Sequence, residues 1–120
     1  MTKGRFTETR RSQRVRVSLR AEHVSESSSR PVFIENVSEH GVHMVTLHKS
    51  TEGLFFPGKH IELKLRLSSG ETVPLRCQVR WMSAKTPPHG VTDSVGLEIV
   101  DPPSEYVSFV RYLQASYFPQ

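Results

Sequence analysis

Residues 61–81 read IELKLRLSSGETVPLRCQVRW, and their alternation decides the fold class. Ile61, Leu63, Leu65 and Leu67 fall on one side of an extended chain, with Glu62, Lys64 and Arg66 on the other. That period of two is the pattern of a half-buried strand. Ser68-Ser69-Gly70-Glu71 is a hairpin connection, after which Val73, Leu75, Cys77, Val79 and Trp81 alternate back. The pattern extends both ways. Upstream, Val15, Val17 and Leu19 alternate with Arg14, Arg16, Ser18 and Arg20, which predicts a strand ending near Val24. Val32 to Val37 and Val42 to His48 read as two more strands, joined by Ser38-Glu39-His40-Gly41, whose glycine can take positive φ. Downstream, Lys85 to Ser94 reads as an irregular loop, and Val95, Leu97 and Ile99 as a sixth short strand. After Asp101 the period changes. Tyr106, Phe109, Val110, Leu113 and Tyr117 lie on one face of a helix starting at about residue 102, with Asp101-Pro102 as its cap and first position and Ser104 as a second candidate cap. Six short antiparallel strands without intervening helices predict an all-β closed barrel, because closure removes exposed edges, and the helix follows it.

The 120 residues suit a single domain with a real core. At 36% apolar the chain is too hydrophobic to be disordered throughout, yet no apolar run reaches the roughly 20 residues of a membrane-spanning helix. No membrane insertion is expected. The single cysteine, Cys77, excludes an internal disulfide framework and a multi-cysteine zinc site, and its strand phase makes it a buried hydrophobe. No apolar segment follows the basic N-terminus, so no secretory signal is read and the expected location is cytoplasmic. Charge is distributed unevenly. Residues 1–20 carry seven basic side chains against Glu8 alone, a balance of +6, while the remaining residues sum to −2. Six of those seven are arginines, whose planar fork suits phosphate oxygens and the acceptor edge of guanine, so an anionic partner is expected.

Two short elements bear on what that partner is. Arg10-Arg11-Ser12-Gln13-Arg14 places two arginines four residues apart just before the first strand, and Asn36-Val37-Ser38-Glu39-His40-Gly41 closes the second. In this order, on either side of one strand, they resemble the PilZ domain family, whose signature is R-x-x-x-R followed by [D/N]-x-S-x-x-G. Val79-Arg80-Trp81 and Gly96-Leu97-Glu98-Ile99 fit near the positions of that family's last two strands. The resemblance covers nearly the whole chain. It implies a six-stranded PilZ-like barrel with a C-terminal helix, acting in bacterial second-messenger signalling as a nucleotide-binding receptor for cyclic di-GMP. It implies no enzymatic activity and no cofactor. It assigns Arg10 and Arg14 to clamp phosphate and guanine, Arg11 to a further contact, and Asn36, Ser38 and Gly41 to the guanine site on the barrel surface. The side chains suit these roles. An arginine fork pairs with phosphate or guanine, a carboxamide both donates and accepts toward a base edge, and glycine permits close approach. Many family members carry an arginine directly before the first motif arginine. Thr9 stands there in this chain, which leaves open whether one or two ligand molecules are taken up.

Residues 1–14 thus read as a flexible arginine-rich arm, and 15–120 as the barrel with its helix. Binding is expected to order the arm and signal to an effector protein or to a second copy of this chain. The competing reading is a PilZ-fold protein-interaction module that does not respond to nucleotide. A single-stranded nucleic-acid binder would show exposed aromatics alternating with basic residues on a sheet face. Here the basic residues concentrate in the arm and most aromatics fall on predicted core faces, so no nucleic-acid partner is expected. Trp81 continues the core face of Cys77 and Val79, or at the strand end stacks on a bound guanine. His40 and His43 differ in strand parity, and neither they nor His48 gain a carboxylate or thiolate that completes a metal set. Ser38 and His40, in one turn without a placed acid, do not make a catalytic triad.

Overall fold

Each alternating segment becomes a strand of one antiparallel barrel in a computed structural model that describes residues 13–26, 28–47, 55–85 and 92–117. The elements are β1 (Val15–Val24), β2 (Ser29–Ser38), β3 (Gly41–Leu47), β4 (His60–Arg66), β5 (Thr72–Lys85), β6 (Thr92–Val100) and α1 (Ser104–Tyr117). Around the barrel they run β1-β2-β3-β6-β5-β4, and β4 pairs back onto β1 where Ala21–Val24 meet Leu65–Glu62. Closure gives every strand two neighbours, so the barrel has no wholly unpaired edge strand among the described residues.

Boundaries differ from the alternation in instructive places. β2 begins three residues early, at Ser29, and β5 continues past Trp81 to Lys85, which shortens the predicted 85–94 loop at both ends. The helix opens at Ser104, where the Pro103 carbonyl accepts from Val107 N at 3.0 Å. Asp101 is therefore not its cap; at φ 50° it turns the chain out of β6 instead.

The barrel interior is aliphatic, with Ile34, Met44, Leu63, Leu65 and Leu75 fully enclosed. Val17 and Leu19 pack against this core while remaining partly exposed. Tyr106 and Val110 of α1 are buried with it, Phe109 and Leu113 partly so. Tyr117 departs from the predicted helical face and is exposed, as are Tyr112, Phe33 and Phe56, so fewer aromatics belong to the core than alternation suggests. Cys77 is buried as expected, and burial pushes its thiol up to about 12, which keeps it protonated.

Three bulges interrupt the ladders, between Arg16 and Leu19 in β1, Ile34 and Asn36 in β2, and Val79 and Trp81 in β5. An extra residue shifts the phase of everything beyond it. Strict alternation would send Asn36 inward beside Ile34; the β2 bulge turns it outward. The β5 bulge does the same to Trp81, which is 43% exposed and not the core residue its spacing from Val79 suggests.

His23 is buried on β1 with its ring 5.2 Å from that of Phe55. Burial, and after it the positive charges of Lys59 and Arg30, holds its pKa below the ordinary 6.5. The unfolded chain takes up that proton near pH 6.5 while the folded chain resists it, so the contribution to stability is complete above that pH. It is lost as pH falls from there to the lowered folded value. Urea unfolding at about pH 7.5 and about pH 5.5 should show wild type losing more stability on acidification than His23→Gln. Equal losses would place the acid sensitivity elsewhere.

Candidate ligand-binding face

The two-residue connection Glu39-His40 decides what faces what. Ser38 pairs with Gly41, Val37 with Val42, and Asn36 with His43. Val42 and Met44 point inward, so His43 points out. The register then carries this outward row across the barrel. Arg16 on β1 lies opposite Asn36, Gly96 on β6 opposite His43, and Trp81 on β5 opposite Gly96.

Side chains along the row touch one another. Arg14, exposed just before β1, donates from Nη1 to Asn36 Oδ1 at 2.8 Å. Asn36 Nδ2 lies 3.2 Å from His43 Nδ1. The His43 ring meets Trp81 edge-on, with centroids 5.2 Å apart and planes at 71°. Gly96 makes this possible, because a Cβ there would overlap Trp81 Nε1 and Cε2. Beside the row, Arg80 and Glu98 pair at 3.4 Å; both are well exposed, so the pair adds little stability.

Gly41 is needed for space and not, as the turn pattern suggests, for positive φ, which among the described glycines is confined to Gly58 and Gly70. A Cβ on Gly41 would stand 3.1 Å from the Leu97 carbonyl oxygen, 3.5 Å from Ser38 Oγ and 3.6 Å from Arg14 Nη2. These distances gather Arg14, Ser38 and Gly41 at one point. The Ser38 hydroxyl is buried and directed at the Gly41 carbonyl, 3.5 Å away.

The helix braces this assembly from below. Tyr106 donates its hydroxyl to the Ser38 carbonyl at 2.6 Å, with the Gly41 carbonyl at 3.3 Å. Arg111 Nε donates to the buried carboxylate of Glu39 at 3.0 Å. Gln114, also buried, donates to the carbonyl of Gln13, the residue before Arg14. One helix thus holds both the Ser38–Gly41 turn and the root of the arm.

Of the residues picked out by sequence, Arg14, Asn36, Ser38 and Gly41 come together, and Trp81 stands at the far end of the same row. Arg10 and Arg11 lie outside the described residues. Arg16, His43 and Gly96 were not singled out as ligand-facing, although counting outward from a two-residue turn places His43 opposite Asn36. Among the described residues no group of three His, Cys, Asp or Glu side chains is arranged to hold a metal. An open groove of about 1020 Å³ lies elsewhere, lined by His23, Lys59, Glu62 and Arg76 among others, and no motif residue borders it. The row offers guanidinium donors for an anion, a carboxamide for a base edge and a ring for stacking. Among the described residues no helix is long and apolar enough to cross a membrane.

Comparison with known proteins identifies the family and the fold. The PilZ domain family model matches residues 8–115. No curated protein matches the sequence. Among solved structures, the chain resembles the PilZ domain of YcgR from Escherichia coli, solved with c-di-GMP, at TM-score 0.67 and 9% identity, covering 88% of each chain. It resembles the Bacillus subtilis inhibitor of motility MotI/DgrA at TM-score 0.70 and 15% identity, covering 89% of this chain and 50% of that one. It also resembles Borreliella burgdorferi PlzA in complex with c-di-GMP, at TM-score 0.67 and 12% identity over 95% of this chain and 55% of that one. The chain spans about half the length of MotI/DgrA and PlzA. With the family model matched over most of the sequence and the same barrel found in these structures, the chain belongs to the PilZ domain family.

Proposed function

We propose that this domain is a cytoplasmic bacterial receptor for cyclic di-GMP and not an enzyme. The observation that carries the reading is the Arg14–Asn36 contact at 2.8 Å, which joins the two motif segments at one end of an outward row. A cyclic dinucleotide offers two phosphates and two guanines, and arginine serves both. In this reading Arg14 and Arg10 clamp phosphate and guanine, Arg11 adds a contact, and Asn36, Ser38 and Gly41 form the base site. Trp81 stacks on a guanine at the far end. The c-di-GMP complexes of YcgR and PlzA, which share the fold, support the choice of ligand. Binding orders the arm of residues 1–14 against the barrel, and the surface so formed is read by an effector protein or a second copy of this chain.

Paired titrations with cyclic di-GMP and cyclic di-AMP at near-physiological salt test this. Adenine lacks O6 and presents amino protons where the arginine fork also donates, a mismatch of about 1–3 kcal/mol per base. The adenine ligand should therefore bind at least about tenfold more weakly. Amide exchange in the same samples should show new protection over residues 10–14 when cyclic di-GMP is present. Comparable affinities for the two ligands would reduce the arm to a general anion binder, whose affinity collapses with salt.

A further inference from the structure

His43 touches both Asn36 and Trp81 in the outward row. Resting on the receptor reading above, we infer that His43 is a positioning residue that sets guanine over adenine by fixing which way the Asn36 carboxamide points. A carboxamide can rotate by half a turn and exchange its donor and acceptor. In the structure Arg14, which can only donate, takes Oδ1, and Nδ2 therefore faces His43 Nδ1. To accept from Nδ2, the neutral imidazole must carry its proton on Nε2. That nitrogen is buried without a hydrogen-bond partner and lies 3.9 Å from the Glu35 carboxylate, whose negative charge favours a proton on the near side. Glu35 thus biases the His43 tautomer through charge alone, and His43 hydrogen-bonds Asn36.

This bias acquires its purpose when ligand arrives. Arg14 is drawn to phosphate or base and releases Asn36, and His43 remains to hold the amide. In that orientation Asn36 keeps a second Nδ2 proton and a second Oδ1 lone pair. This donor–acceptor order suits guanine O6 and N1–H on a base held in place by stacking and phosphate contacts. Adenine presents the reverse order at its N6 amino group and N1, and only a rotated amide would meet it.

The test compares His43→Phe with His43→Asn. Phenylalanine keeps an aromatic edge against Trp81 but cannot accept from Nδ2, whereas asparagine places a carbonyl oxygen near the position of Nδ1. In His43→Phe the ratio of cyclic di-GMP to cyclic di-AMP affinity should fall about fivefold to tenfold, the size of one hydrogen bond. His43→Asn should retain most of it. A merely structural role would weaken both ligands together and leave the ratio unchanged, and that result overturns the inference while leaving the receptor reading intact. Nitrogen-15 spectra of the imidazole provide a measurement without ligand. A neutral ring with its proton on Nδ1 would also overturn the assignment. A wild-type domain that binds neither dinucleotide would overturn the receptor reading as well.

Discussion

Arg14→Ala is expected to weaken cyclic di-GMP binding about tenfold to a hundredfold, the loss of a charge-assisted contact worth about 1.5–3 kcal/mol. The guanidinium stands at the meeting point of both motifs, on Asn36 Oδ1 and beside the space above Gly41. Its removal takes a positive fork from the ligand and leaves Asn36 with one fewer partner. Folding should change little, because Arg14 is exposed and lies outside the strands. Arg14→Lys separates charge from shape. Lysine restores a positive point charge but not two parallel N–H donors, so its affinity should lie between those of alanine and wild type. Calorimetric titration of the three proteins checks the order. An alanine variant within twofold of wild type would end the assignment of this face.

The largest effect on stability is expected at Tyr106. The side chain is fully buried between helix and barrel, so Tyr106→Ala leaves a cavity and should cost about 3–5 kcal/mol, a large part of what a domain this size possesses. Tyr106→Phe isolates the hydroxyl. Burial pushes that group's pKa upward, so it remains a donor, and it donates to the Ser38 carbonyl 2.6 Å away. Losing that buried hydrogen bond should cost about 0.5–1.5 kcal/mol. Urea unfolding of the two variants measures both numbers. A phenylalanine variant as stable as wild type would show that the Ser38–Gly41 turn holds itself without the helix.

Much of the barrel was legible in the chain because alternation is a local property. Ile61 to Leu67 declare their face without reference to any neighbour, and all six strands follow from such runs. What stayed hidden depends on pairing. A bulge is an offset between two strands, and nothing within β2 or β5 marks where its partner will fall behind. For that reason spacing alone leaves Trp81 between the core face and a base-stacking position, and Asn36 is a surface residue by family resemblance alone. His43 is legible in principle, since a two-residue turn sets Asn36 opposite it, but its residue type points first to metal ligation. The support from Tyr106, Arg111 and Gln114 joins residues between 65 and 101 positions apart, a separation at which sequence pattern carries no information.

The outward turn of Trp81 also gives the protein an optical probe. It is the chain's single tryptophan, so ultraviolet emission from this molecule comes largely from one indole, seated among the side chains of the proposed site. Because 43% of the residue already meets water, unfolding changes its surroundings less than it would for an enclosed indole. A purine laid on its face changes them more. With a base stacked there as proposed, emission intensity should follow occupancy more than global unfolding, and rapid mixing with an unmodified ligand would follow arrival and departure without a dye.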